Sequence, residues 1–337
     1  MTIELTHWID GKHVNGTSGR FSDVYNPATG EVQSKCPLAS DAEMDAAVAS
    51  AKAAQPAWAA TNPQRRARVL MKFVTLLHRD MDKLAEALSR EHGKTMPDAK
   101  GDVIRGLEVA EFCIGAPHLL KGEFTNDAGP GIDMYSMRQP IGVAAGITPF
   151  NFPAMIPMWK FCPAIAAGNA FILKPSERDP SVPLMLAELM KEAGLPDSIL
   201  QVVNGDKGAV DAILDHEDIG AIGFVGSTAI AQYVYSRGTA NGKRVQCFGG
   251  AKNHMIIMPD ADLDQAADAL LGAGYGAAGE RCMAISVAVP VGEGTADRLM
   301  AKLIPKVEKL KIAPYTDGDD ADFGPVVTAE AKVRILG

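Results

Sequence analysis

The sequence has no surplus of basic charge, no cysteines at metal-binding spacing and no long apolar run. Each absence removes a class of function. Lys and Arg number 33 against 41 Asp and Glu, a net charge of −8 with His neutral. A nucleic-acid binder would show a concentrated basic face, so that class is set aside. An anionic small ligand is not excluded, because a local pocket can oppose the net charge. Cys36, Cys113, Cys162, Cys247 and Cys282 are widely spaced, odd in number and contain no CxxC. Neither a disulfide framework nor a zinc site is expected, so no metal is assigned. Unpaired thiols suit a reducing compartment. No run of about 18 apolar residues occurs, so no membrane span is expected. The start, MTIELTHWIDGKH, lacks an apolar signal core. A soluble, cytoplasmic protein is the expectation. Repeats and low-complexity tracts are also missing. The hydrophobic share of 47% and charged share of 22% are globular values, which excludes disorder. A length of 337 residues is enough for two domains.

What is present begins with turns and caps. HWI, Asp10-Gly11 and KHV read as a hairpin. Ser40-Asp41-Ala42-Glu43 is a capping box opening an Ala-rich helix to about Trp58. Asn62-Pro63 caps the next, whose Leu70, Phe73, Val74, Leu77, Leu84 and Leu88 keep helical spacing to about Glu91, with Gly93 as the stop. A third helix is expected from roughly Asp98 to His118. Residues 121–140 are polar and extended in character. From Gly142 short apolar runs alternate with helical stretches: 142–148, 170–173, 199–203, 221–225, 244–247 and 254–258, with helices near 154–167, 182–193, 207–214 and 228–236. This rhythm predicts an α/β fold with an open, mostly parallel Rossmann-type sheet and helices on both faces. Ligands bind such sheets at the carboxyl ends of the strands. A helix from Leu263 to about Ala278, a strand at 285–291 and a helix near 295–309 follow.

Four segments carry possible chemistry. Cys282, preceded by Gly279-Glu280-Arg281, reads as a thiolate nucleophile if the Arg281 cation turns toward the sulfur. The commoner fate of a free cysteine is a small buried hydrophobe. Asn151, between Phe150 and Phe152, supplies either a helix cap or an amide donor for an oxyanion. Lys174 and Glu177, followed by Arg178, are able to clasp a ribose diol, and an acidic residue there favours NAD over NADP. A solvated charge cluster is the commoner reading. Ser227, after Phe224-Val225-Gly226, opens a helix as a cap or as a pyrophosphate contact. Glu280, two residues before Cys282, reads either as a substitute base or as a surface carboxylate paired with a Lys or Arg, and the second is preferred because a side chain two residues from the nucleophile generally points elsewhere.

The motifs PFNFP (149–153), KPSE (174–177), FVGS (224–227), GAKNH (250–254) and GERCMA (279–284), in this order, make the chain resemble the aldehyde dehydrogenase superfamily over essentially its whole length. The resemblance implies a Rossmann-type NAD-binding domain from 1–120 and 141–247, an oligomerisation arm at 121–140 and an incomplete α/β catalytic domain at 248–337. It implies Cys282 as nucleophile, with Asn151 and the Cys282 N–H holding the oxyanion. Lys174 and Glu177 would bind the adenosine ribose with Arg178 nearby, Thr148 and Phe150 would line the cofactor cleft, Ser227 would meet the pyrophosphate, and Gly249 would lie on the strand bordering the nicotinamide.

Hydrolytic members carry a Glu in Glu-Leu-Gly-Gly-Lys. Anchoring on Gly250-Ala251-Lys252 puts Phe248 there. Phe cannot activate water, and a thiol needs less help than water. That departure resembles the methylmalonate-semialdehyde dehydrogenases, which take coenzyme A as cosubstrate. The implied substrate is malonate or methylmalonate semialdehyde, whose carboxylate would meet Arg281 or Arg105, the latter otherwise a solvated helix residue. The implied products are acetyl-CoA or propionyl-CoA with loss of CO₂, made by a homotetramer or homodimer. A hydrolytic dehydrogenase and an inactive NAD-binding fragment stay as alternatives. The family pattern extends past residue 337, and the Phe323-Gly324-Pro325 here lacks the preceding Glu of the family's nicotinamide-ribose motif.

Overall fold

The computed structural model describes residues 2–318 and 320–337. Strands β1 (Ile3–Glu4), β2 (His7–Ile9), β3 (Lys12–Val14), β4 (Phe21–Tyr25) and β5 (Val32–Pro37) come first. The β2–β3 turn uses Asp10 and Gly11, both with positive φ, as the twist of a two-residue hairpin demands. Helix α1 (Asp41–Ala60) starts at the complete Ser40–Glu43 capping box, and Asn62 caps α2 (Pro63–Arg79).

The helix expected to run on to Glu91 breaks at Asp80, giving α3 (Met81–His92). Asp80 leaves helical geometry and takes two hydrogen bonds from the Arg79 guanidinium. Apolar spacing carried across the break because both helices bury the same face. Gly93 ends α3 in the left-handed conformation. The third helix is α4 (Met96–Ile114), interrupted at Gly115 before the single turn α5 (Ala116–Leu119).

Strands β6 (Phe124–Gly129) and β7 (Ile132–Tyr135) form a separate hairpin, exposed almost throughout. The alternating region then follows: β8 (Val143–Ile147), α6 (Met155–Ala166), β9 (Ala170–Lys174), α7 (Ser181–Glu192), β10 (Leu200–Val202), α8 (Lys207–Asp215), β11 (Ile219–Val225), α9 (Thr228–Ala240) and β12 (Arg244–Phe248). The seven-stranded sheet has the order β12-β11-β8-β9-β10-β2-β3. Its first five strands are parallel, and the hairpin β2–β3 joins antiparallel at β10. All residues of β8 and β9 are buried, as central strands covered on both faces must be.

Beyond the sheet come β13 (Asn253–Ile257), α10 (Leu263–Tyr275), β14 (Ile285–Pro290), α11 (Thr295–Val307) and α12 (Ala329–Leu336). Parallel β13 and β14 form their own sheet over a second core of Ile257, Leu263, Ala266, Ala267, Leu270 and Leu299. Helix α10 stops at Tyr275, earlier than expected. In the next turn Ala277 and Ala278 are left-handed, with φ of 51° and 54°, at a cost of about 1–2 kcal/mol for each L-residue.

Candidate active site

The carboxyl ends of β8, β11 and β12 face the turn that carries Cys282. Between them lies a cleft of about 560 Å³, lined by Phe150, Asn151, Gly226, Ser227, Gly249, Glu280, Arg281 and Cys282 among others. Six of the sequence candidates, from both sides of the molecule, therefore meet in one place. Cys282 is half-buried and packs against the cluster of Phe152, Met155 and Ile156, as Val225 also does.

Asn151 is not a helix cap. Helix α6 begins at Met155 with Ala154 before it. The Asn151 amide makes no hydrogen bond among the described residues, while its carbonyl accepts 2.6 Å from Lys94 Nζ. Lys94 is fully buried, bonds Asp102 at 2.9 Å and lies 3.9 Å over the Phe152 ring. Asp102 also accepts from the Met155 N–H at 2.7 Å. The buried pair thus pins both sides of the Asn151 turn and leaves the amide free to donate into the cleft. Sequence inspection passed over Lys94 and Asp102; a Lys and an Asp eight apart astride a helix start give no signal until the chain turns back on them. Asn253, inside the GAKNH motif, was given no role of its own; its amide donates to the carbonyls of Cys282 and Ala284, both at 3.0 Å, holding the Cys282 turn to β13.

Ser227 precedes α9 but its hydroxyl makes no cap bond, so the simple capping reading fails and the oxygen is free beside the first N–H groups of the helix. Gly249 lies one residue beyond β12, not on it, and a Cβ there would sit 3.1 Å from the Thr228 Cα. Phe150 stacks on His92 at 5.9 Å, with Arg178 5.2 Å above its ring. Thr148 does not line the cleft. Its N–H still extends the sheet by donating to the Lys174 carbonyl, and its hydroxyl is buried without a partner. Lys174 bonds Glu177 at 3.3 Å and the Gly205 carbonyl at 2.6 Å. Glu177 and Arg178 line a neighbouring recess of about 220 Å³.

Arg281 does not turn to the sulfur. Its guanidinium pairs with Asp98 at 2.6 Å and donates to the Gly272 carbonyl at 3.1 Å, because α4 presents a carboxylate on the other side. It still borders a third cleft of about 360 Å³, which also holds Arg105, Lys94, Phe152 and Met283. Arg105 is exposed and enters no ion pair among the described residues. Glu280 is not a surface carboxylate. Burial raises its pKa to about 7, and its Oε2 has no partner. Phe248 ends β12 half-exposed, with Lys160 Nζ 5.0 Å from its ring. Among the described residues no helix is long and apolar enough to cross a membrane, and no cluster able to hold a metal occurs.

Comparison with known proteins agrees with this arrangement. The aldehyde dehydrogenase family pattern matches residues 13–337. The chain is 54% identical over 333 residues to the malonate-semialdehyde dehydrogenase of Pseudomonas aeruginosa, covering 99% of this chain and 67% of that protein. It is 50% identical to the acylating methylmalonate-semialdehyde dehydrogenase of Arabidopsis thaliana, covering 99% of this chain and 55% of that one. The chain therefore spans little more than half to about two thirds of these relatives. Among solved structures, a candidate methylmalonate-semialdehyde dehydrogenase of Sinorhizobium meliloti, complexed with NAD, superposes with a TM-score of 0.97 at 74% identity, over 100% of this chain and 68% of that one. The methylmalonate-semialdehyde dehydrogenase of Oceanimonas doudoroffii gives 0.97 at 51% identity, with the same coverage. The chain belongs to the aldehyde dehydrogenase family.

Proposed function

We propose that this chain carries the NAD-dependent, coenzyme A-acylating oxidation of malonate or methylmalonate semialdehyde. The observation that carries the reading is the meeting of Cys282 and the free Asn151 amide in one cleft, beside a second cleft bearing Arg105 and Arg281. Cys282 attacks the aldehyde carbon. The Asn151 amide donates to the oxygen as it gains charge, a role for donors fixed before the reaction begins. Pinning by Lys94 and Asp102 supplies that fixity.

NAD, when bound, accepts the hydride that converts the hemithioacetal to a thioester. The groove fits it in two respects. Gly249 leaves room where a Cβ would crowd Thr228, and the α9 start offers free N–H groups and the Ser227 hydroxyl to a pyrophosphate. Lys174 and Glu177 form the donor–acceptor pair that a ribose diol needs.

Phe248 favours coenzyme A over water as acyl acceptor. No carboxylate occupies the end of β12, and the Phe248 ring meets Lys160 instead. The Arabidopsis relative is named as acylating. Arg105, unpaired, takes the substrate carboxylate, and Arg281, held by Asp98, shapes the wall. The exposed β6–β7 hairpin presents Phe124, Ile132, Met134 and Tyr135 and serves assembly into a homo-oligomer. Five free cysteines accord with a cytoplasmic setting.

The test is NADH formation from malonate semialdehyde by the full-length protein, with and without coenzyme A. Turnover that requires coenzyme A, over a single stoichiometric burst without it, is expected. Equal turnover in both would overturn the acylating assignment.

A further inference from the structure

Glu280 has no part in the chemistry above, yet the backbone goes out of its way to place it. Ala277, Ala278 and Gly279 all have positive φ. Non-glycine residues hold that conformation only where their surroundings over-determine it, and such sites cluster at functional clefts. The turn delivers Glu280 into the cleft that Cys282 and Asn151 share. There the carboxyl group lies near the Val327 N–H, while Oε2 is shielded from water and unpartnered. The charged groups that face it are Arg178 from the loop after β9, Lys94 from the loop after α3, and Arg334 from α12. None of them makes an ion pair with it among the described residues. Arg281, its sequence neighbour, is committed to Asp98.

We propose that Glu280 is the proton acceptor for the thiol that releases the acyl group from Cys282. The inference rests on the acylating reading given above and deepens it. In the step, the coenzyme A thiol gives its proton to the Glu280 carboxylate. Its sulfur attacks the thioester carbonyl, the bond from that carbon to the Cys282 sulfur breaks, and Cys282 leaves as thiolate. The products are acyl-CoA, a thiolate enzyme and a neutral Glu280, so atoms and charge balance with no further reactant. Phe248 cannot take the proton, which leaves this carboxyl as the acceptor in the cleft. Burial sets its pKa at about 7, close to the working range that suits a general base.

The experiment is rapid-quench measurement of acyl release by coenzyme A in the full-length protein, across a pH series, with the NADH burst recorded in the same samples. Release should rise with pH through a limb near 7. Glu280→Gln should remove the limb and slow release by about 10²-fold, within the usual range for one acid–base group. Glu280→Asp should keep the limb at a lower rate. A Gln variant that keeps the limb, or that slows burst and release equally, overturns the proposal, since either result makes Glu280 a shaping residue only. Absence of the burst in the unaltered protein would instead sink the dehydrogenase reading on which the proposal rests.

Discussion

The proposed nucleophile and oxyanion donor make separate demands that two substitutions can divide. Cys282→Ala removes the attacking sulfur and touches neither Ser227 nor the α9 start. Turnover is expected to vanish while NAD still binds, checked by quenching of protein fluorescence on titration with NAD. Loss of both together would contradict the division of labour. Asn151→Ala leaves the backbone carbonyl that Lys94 grips and deletes only the amide. The burst should slow by about 10²–10³-fold, the usual effect of one lost oxyanion donor. Arg105→Leu should raise KM for malonate semialdehyde far more than for propanal, because only the former needs a cation. Equal rises would move carboxylate recognition elsewhere. At this scale Cys282 and Asn151 were singled out from side-chain chemistry beside a strand end, and the structure brings the two into one cleft. The direction of Arg281 was not, because its partner Asp98 lies 183 residues away in sequence.

Elements were legible where their signals are local. The Ser40 box, the Asn62–Pro63 start and the Gly93 stop each act within a few residues, and all three stand in the structure. The Asp80 break and the left-handed turn after α10 were not, since apolar spacing continues across the first and alanines carry no mark of the second. The joint between α4 and α6 depends on a contact equally hidden. Lys94 and Asp102 are both fully buried, a pair whose charges are compensated chiefly by each other, by main-chain groups and, for Lys94, by the Phe152 ring. Removing one partner strands the other charge. Asp102→Ala is therefore expected to lower stability by about 3–5 kcal/mol and to slow the burst through the loosened Asn151 turn. Urea unfolding at neutral pH measures the first and stopped-flow NADH the second. Unchanged stability would show that water reaches Lys94 and replaces its partner.

For the whole molecule, the alternating strands and helices announced the parallel sheet, while the burial of ionisable groups behind the active site had no sequence mark. Asp179, in the loop between β9 and α7, is buried with neither carboxylate oxygen bonded, and its pKa lies well above the ordinary 3.8. Burial is the first cause and neighbouring Glu91 the second. His92 is buried with both ring nitrogens unpartnered, and burial holds it well below 6.5. The two act oppositely on stability. Below 6.5 the unfolded chain protonates the histidine and the folded one does not, so stability falls with falling pH. The folded Asp179 keeps a proton that the unfolded chain loses above 3.8, so its contribution declines as pH rises toward its folded value. Glu91, raised to about 6, Glu280, raised to about 7, and Asp102, raised by its burial, act in the same sense as Asp179. Asp179→Asn keeps the neutral shape without the proton. As pH rises above 3.8, its urea midpoint should fall less steeply than that of the unaltered protein. Parallel curves would mean that Asp179 is already ionised in the fold, with Lys94 shared between it and Asp102.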